Sequence, residues 1–130
     1  MFRLSKRADY GLIAMKHLTL HNEHAYSAPE IARTYNIPSE LMAKVLQSLV
    51  RSGLLESHAG PTGGYALARA PEKISVIEVL EALEGPIQLT PCEGDDCEQL
   101  DLCSIRDPLR GVKQRMVSVL VDTTIHQLAH

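Results

Sequence analysis

The sequence predicts a mostly α-helical fold with a small β wing: a winged helix-turn-helix followed by a long C-terminal dimerisation helix. Three observations predict it. Two short helical segments are joined by a turn of about four residues, two strand-like segments then flank a glycine-rich tip, and an apolar stripe with helical spacing runs through residues 107–130. A length of 130 residues and 45% hydrophobic composition suit one globular domain.

The first helix is predicted from about Lys6 to Asn22. Tyr10, Ile13, Ala14 and Leu18 recur at helical spacing there, which indicates one buried face.

A helix-turn-helix is predicted over the next thirty residues or so. Ser27 and Glu30 have the spacing of a capping box with a proline between them, which opens a short helix through Tyr35. A tight turn at residues 36–39 follows, and a third helix runs to Ser52, where Gly53 supplies the left-handed stop. The predicted buried stripe of this third helix is Met42, Val45, Leu46, Leu49 and Val50.

A hairpin follows, with strands at residues 54–57 and 65–68 and its tip at residues 58–64. In a winged helix the second helix of the helix-turn-helix enters the major groove of DNA. The predicted DNA-facing residues are Ser39, Glu40, Leu41, Ala43, Lys44 and Gln47 in the groove, Arg33 and Arg51 on phosphates, and Gly63 and Gly64 in the wing. The alternative for these positions is an ordinary solvated helix face.

Two more helices are predicted. Ser75 and Glu78 form a second capping box, and the helix they open turns Val76, Val79, Leu80 and Leu83 inward before Gly85 and Pro86. Asp107 is predicted as the N-cap of the last helix, with Pro108 at its first position. The stripe of this helix is Leu109, Val112, Met116, Val119, Leu120 and Thr123, and we expect a second copy of the chain to cover it.

These elements divide the chain into a DNA-binding domain at 1–86, a cysteine loop at 87–106, and a dimerisation helix with its tail at 107–130. The net charge of −3 comes from the second part, because residues 1–85 balance nine basic against nine acidic side chains. The beginning of the chain has no apolar segment typical of a secretion signal, and no run is long enough to span a membrane. We therefore expect a cytoplasmic protein without a membrane partner.

Three cysteines, Cys92, Cys97 and Cys103, lie within twelve residues. Three soft thiolates from one loop can hold three irons of an iron-sulfur cluster and leave one coordination position open. This predicts a four-iron cluster in preference to a two-iron one. A structural zinc site is the main rival, although it usually has CxxC pairs and four protein ligands; three idle cysteines are the other alternative.

Other functional patterns are sparse. The acidic residues around the thiols disfavour a nucleophilic thiolate, and the sequence has no glycine-rich phosphate loop, CxxC or catalytic dyad, so we predict no enzyme. A small iron-sulfur redox protein or a zinc-stabilised binding module is the alternative from another class. The six histidines are interpreted as surface or core residues, although His17 and His21 have the i, i+4 spacing of a weak metal pair.

Several segments resemble the iron-sulfur winged-helix regulators of the Rrf-two family, most closely the regulators of SUF-system cluster assembly. The similarity covers nearly the whole chain and is most specific at residues 74–76 and 81–87; it also includes residues 3–6, 9–11, 49–55 and 63–69. It implies a homodimer crossed by the C-terminal helix and a cluster-dependent repressor of cluster assembly genes, bound to a double-stranded DNA operator. The alternative within the family is a nitric-oxide-sensing or redox-sensing repressor, whose small-molecule effector is nitric oxide or oxygen.

The resemblance also bears on the fourth cluster ligand. Assembly regulators of the family have a histidine three residues after the last cysteine, where this chain has Arg106, followed by Asp107. Nitric-oxide sensors of the family instead use an aspartate near the N-terminus of the partner subunit, and Asp9 stands at that position. Asp9 is therefore the implied metal ligand beside the three cysteines, in preference to Asp107, and a solvated or capping role at the helix start is its alternative.

Overall fold

A computed structural model describes residues 4–61, 63–85 and 106–130, with the backbone alone for residues 106, 107 and 109. The described helices are α1 (Lys6–Leu20), α2 (Ala28–Tyr35), α3 (Ser39–Arg51), α4 (Val76–Glu84), α5 (Arg106–Asp122) and α6 (Ile125–Ala129), with a short 3-10 helix at Pro71–Lys73. Strands β1 (Leu55–His58) and β2 (Gly64–Leu67) form one antiparallel hairpin. The predicted fold class, mostly helical with a small β wing, is confirmed.

Helix α1 lies at the centre of the described fold and packs against α3, α4 and α6. Ser5 caps its start, because the Ser5 hydroxyl accepts a hydrogen bond from the Ala8 N–H at 3.2 Å. The helix ends at Leu20, two residues before the predicted end. Ala14, Met15 and Leu18 are buried in the core.

The helix-turn-helix forms as predicted. Ser27 and Glu30 make both hydrogen bonds of the capping box at the start of α2. Asn36 then takes the left-handed conformation (φ 55°) that starts the turn, and the buried Ile37 donates its N–H to the carbonyl of Ala32. Gly53 has a φ of 79° just after α3, which confirms the predicted stop.

The buried stripe of α3 is confirmed with one correction. Met42, Val45, Leu46 and Leu49 are buried, whereas Val50 is only partly buried at the edge of the core. The helix itself ends at Arg51, with Ser52 as its cap.

Both strands of the wing differ from the predicted ranges by one residue at each end: β1 begins at Leu55 and not at residue 54, and β2 begins at Gly64 and not at residue 65. Pairing runs from Leu55 opposite Leu67 to His58 opposite Gly64. A backbone bridge joins β2 to the chain before α2, since Tyr26 and Tyr65 exchange both N–H···O=C hydrogen bonds, at 3.0 and 2.7 Å.

Helix α4 carries the second capping box, formed by Ser75 and Glu78 as predicted, and buries its apolar side chains against α1 and α3. At the crossing of α1 and α4, Gly11 makes a close approach possible: a Cβ on Gly11 would lie 2.2 Å from the Leu83 Cδ1 atom. The two helices are therefore in direct contact near the point where α4 ends.

The C-terminal part differs from the prediction in two ways. Helix α5 already includes Arg106, so Asp107 is not its N-cap and Pro108 is its third residue. Proline is tolerated there because the N–H groups of the first helical turn have no intrahelical partner. One residue of the predicted apolar stripe of α5 is also covered without a second copy, because Leu120 packs on the chain's own core. The Leu109 side chain lies outside the described residues.

After α5 the chain does not continue as a loose tail. Thr124 and Gln127 form a third capping box, which opens α6, and Ile125 is buried at 1% exposure. The Ile125 N–H bonds the carbonyl of Ile74, and the Val76 N–H bonds that of Thr123. The end of the chain is thus part of the winged-helix core. Within the described part of the chain, no helix is long and apolar enough to cross a membrane.

Candidate DNA interface and cysteine segment

The outer face of α3 carries a row of polar side chains. Glu40, Lys44, Gln47 and Arg51 are exposed, and at 100° per residue they fall within an arc of roughly 60° around the helix. The buried stripe holds the opposite face against the core. Amide, ammonium, guanidinium and carboxylate groups on one exposed face can reach base edges and phosphates.

The other predicted groove residues are placed less uniformly. Ser39 is exposed at the start of α3, whereas Leu41 is half-buried and Ala43 packs partly against the core. Arg33 is exposed on α2, and Arg51 contacts the Ser48 hydroxyl at 3.2 Å. The polar row on α3 is therefore a better candidate for base contacts than Leu41 and Ala43.

The wing tip depends on its glycines. A Cβ on Gly63 would lie 2.2 Å from the His58 carbonyl oxygen, and a Cβ on Gly64 would lie 2.4 Å from backbone atoms of Tyr26. Gly64 also has a φ of 142°, in the region that favours glycine. These residues shape the wing and hold it to the chain before α2, a role that the sequence did not reveal.

Cys92, Cys97 and Cys103 lie outside the described residues, and so does nearly all of the predicted loop at 87–106. The structure does describe the two helices that flank this segment. The Ser5 hydroxyl donates a hydrogen bond to the Glu84 carboxylate at the end of α4, and α5 packs against α4. The cysteine segment is thus joined at both ends to elements in contact with the winged-helix core.

Asp9 lies in the first turn of α1 and is exposed. Its side chain does not cap the helix, because Ser5 does, and it makes no hydrogen bond to the residues that the structure describes. The same helix start contacts Glu84, the last residue of α4 and one residue before the described range 63–85 ends. A carboxylate with no hydrogen bond to the described part of the chain is thus available at this end of the fold.

The structure brings His17 and His21 together, with ring centroids 4.6 Å apart. Among the described residues, however, no group of three histidine, cysteine or acidic side chains could hold a metal ion. His17 is buried, as the interpretation of the histidines as surface or core residues allows. Its contacts with Tyr26 and Tyr35 are a feature that spacing alone did not reveal.

A winged helix whose second helix-turn-helix element presents an exposed polar face defines the class of protein: a DNA-binding transcription regulator. Residues 4–130 match the profile of the Rrf2 family, whose members are described as iron-dependent transcriptional regulators. This is the Rrf-two family that the sequence resembles. The chain belongs to this family. The predictions of the family and of a regulator that is not an enzyme are therefore confirmed.

Individual relatives agree with this assignment. The chain is 38% identical to a predicted HTH-type transcriptional regulator of Aquifex aeolicus, over 95% of this chain and 89% of that protein. It is 28% identical to the HTH-type transcriptional regulator IscR of Xenorhabdus nematophila, over 97% and 78%. Among solved structures it is similar to CymR, the global cysteine regulator of B. subtilis, with a TM-score of 0.78, 28% identity and coverage of 99% and 97%.

Proposed function

We propose that this regulator is a homodimeric repressor that binds operator DNA under the control of an iron-sulfur cluster and governs genes of cluster assembly. The observation that carries the proposal is the position of the three cysteines, between two helices that both connect to the DNA-binding core. A change in that segment can therefore alter the positions of α4 and α5. Similarity to the regulator IscR supports control by a cluster. The chain is also similar to a global cysteine regulator, so the identity of the controlled genes is the part of the proposal that most needs a test.

The donor set fits a cluster. Three thiolates suit iron in an iron-sulfur cluster, and an exposed carboxylate such as Asp9, without a hydrogen bond to the described residues, is a harder oxygen donor for the remaining position. When bound, a cluster supplies a centre that reacts with oxidants and nitric oxide. Cys92, Cys97, Cys103 and Asp9 would hold it, and the remaining residues of this chain transmit its presence to the DNA-binding elements.

A test of the cluster is anaerobic purification followed by iron and sulfide counting. Cys92→Ala, Cys97→Ala and Cys103→Ala should each remove the visible absorbance while the protein remains folded, because the described core lies in the helices. Loss of folding in these variants, or zinc in place of iron and sulfide, would support the zinc-stabilised alternative.

A second candidate function is nitric-oxide or redox sensing, and the exposed Asp9 is the observation that favours it. A carboxylate oxygen is a weaker ligand for iron than thiolate and is more readily displaced by a small molecule. Asp9→Ala should shorten the lifetime of the cluster in air, whereas Asp122→Ala, a change of the same kind at the far end of α5, should not. Equal lifetimes in both variants would remove Asp9 from the ligand set.

The exposed side of α5 supports dimer formation. Val112 is 41% exposed and Val119 is 63% exposed, and they are seven residues apart, so they lie on the same side of the helix. We expect Val119→Asp to shift sedimentation from dimer to monomer without loss of helical signal. Val121→Asp is the control, because Val121 is also exposed but lies about 200° further around the helix. Equal dissociation by both would place the interface elsewhere.

DNA binding is tested through the polar row on α3. Lys44→Ala should weaken binding at low salt and reduce the dependence of log affinity on log salt by about one, as loss of one phosphate contact requires. Lys73→Ala, in the 3-10 helix beside α6, is the control for a change of net charge. The same loss in both variants would show that total charge, and not the face of α3, determines affinity.

A further inference from the structure

His17 lies in a buried site formed by α1, the segment before α2 and the end of α2. Its side chain comes from α1 and is 5% exposed. The ring meets Tyr26 edge-on at 4.9 Å and Tyr35 edge-on at 5.5 Å. His17 Nδ1 forms a hydrogen bond with the Tyr35 hydroxyl at 2.8 Å, whereas Nε2 is buried without a hydrogen-bond partner among the described residues.

This environment favours the neutral imidazole. A protonated ring has N–H donors on both nitrogens, and the donor on Nε2 would be buried without an acceptor, which is costly. Burial lowers the pKa of His17, and the neighbouring His21 lowers it further. Glu23, in the loop after α1, and Glu30, on α2, act in the opposite direction but do not overcome burial.

The other titratable groups near the ring do not supply the missing acceptor. Tyr26 and Tyr35 remain neutral, since burial raises the pKa of both hydroxyls. The Tyr26 hydroxyl donates to Glu23 at 3.3 Å, and His24 stacks on Tyr26 at 4.3 Å and bonds the Ala25 carbonyl through Nδ1.

The two tyrosines connect this ring to both candidate DNA-binding elements. The Tyr26 backbone forms the bridge with Tyr65, which ties strand β2 of the wing to the helical core. Tyr35 is the last residue of α2 and directly precedes the turn into α3. Movement of His17 out of its site would remove packing from both.

We propose that His17 is a proton-sensitive latch, and that its protonation in mildly acid conditions releases the wing from the helical core and weakens DNA binding. The effect on DNA rests on the proposed function, whereas the effect on the wing rests on the contacts of His17 alone. In the open form the imidazolium becomes hydrated, and the Tyr26–Tyr65 bridge loses the aromatic packing behind it.

Linkage fixes the sign and the maximum size of the effect. A histidine whose pKa in the closed form is below its ordinary value of 6.5 binds a proton more readily in the open form. The closed form therefore keeps its full stability above pH 6.5 and loses stability as pH falls below that value. Between pH 7.5 and 5.5 the opening equilibrium rises by up to about tenfold.

The decisive measurement is amide hydrogen exchange at Tyr26 and Tyr65, corrected for the intrinsic dependence of exchange on pH, because both N–H groups lie in the bridge. In the wild-type chain, protection of these amides should fall several-fold between pH 7.5 and 5.5, while amides inside α4 keep theirs. His17→Phe keeps an aromatic ring without a titratable group and should remove the pH dependence. His126→Gln is the control, since His126 pairs with Glu72 beside α6 and should leave it unchanged.

Unchanged protection in the wild type, or pH dependence that persists in His17→Phe, would overturn the proposal. If His17→Phe does not fold, His17→Gln replaces it, together with an NMR titration of the His17 ring in the wild type. A pKa at or above 6.5 for that ring would also overturn the proposal. The DNA part uses a duplex selected from a random pool at pH 7.5. Affinity that stays constant with pH while the bridge opens would refute the link to DNA, and failure to select any duplex would refute the proposed function but not the latch.

Discussion

Replacing Gly64 by alanine should detach the wing from the core without unfolding the helices. The new Cβ would lie 2.4 Å from the Tyr26 carbonyl carbon and oxygen and 2.7 Å from the Ser27 nitrogen. All three are backbone atoms, so no side chain can rotate away to make room. The Tyr26–Tyr65 bridge, with hydrogen bonds of 3.0 and 2.7 Å, must therefore open or shift.

The magnitude follows from two contributions. Alanine at a φ of 142° costs about 1–3 kcal/mol of backbone strain. Loss of two backbone hydrogen bonds adds about 0.5–1.5 kcal/mol each. Gly60→Ala is the matched control, because Gly60 also has a positive φ, of 98°, but a Cβ there meets no atom within 4 Å. Backbone strain is common to both variants, so they should differ by the two hydrogen bonds. The difference in the free energy of opening the bridge is then about 1–3 kcal/mol, or roughly 5- to 150-fold in the opening equilibrium.

Amide exchange at Tyr65 measures this difference directly, and DNA affinity measures its consequence. We expect Gly64→Ala to lose protection at Tyr65 and to bind DNA more weakly than Gly60→Ala, with the α4 amides protected in both. Equal protection at Tyr65 in the two variants would show that the wing is not held by this bridge and would refute the reasoning.

Three further predictions concern stability. Ile125→Ala should lower the free energy of unfolding by about 2–5 kcal/mol, because it removes a large buried side chain. Leu128→Ala should have little effect, because Leu128 is exposed on the same helix. Equal effects of the two changes in urea unfolding would show that α6 is not packed on the core. Ser27→Ala should cost about 1 kcal/mol through loss of the N-cap of α2, measured as a lower midpoint in thermal unfolding. The hydrogen bonds from Ser27 lower the pKa of Glu30 below its ordinary 4.5. The stability that the ionised Glu30 contributes is therefore present above pH 4.5 and is lost as pH falls through the lowered pKa. Glu30→Gln should flatten the acid side of the plot of stability against pH, and an unchanged plot would contradict this role of Glu30.

Features decided by neighbouring residues were predicted well from the sequence. The capping boxes at Ser27 and Ser75 need only a residue three positions away, and the left-handed stop at Gly53 needs only a residue without a side chain. The buried face of α3 follows from the period of the helix, so the polar row opposite it was also predicted. The family followed from segments distributed along the whole chain.

Features decided by residues far apart in sequence required the tertiary structure. Helix α6 was not predicted, and nothing local showed that Ile125 would be buried beside Ile74. The spacing of His17 and His21 suggested a metal pair, yet the burial of His17 depends on two tyrosines from other segments. The sequence by itself determined the five longer helices, the wing and the family, because helix periodicity and capping act within a turn or two. Only the tertiary structure decided which side chains lose contact with water and which backbone segments touch, because those depend on how the completed elements pack.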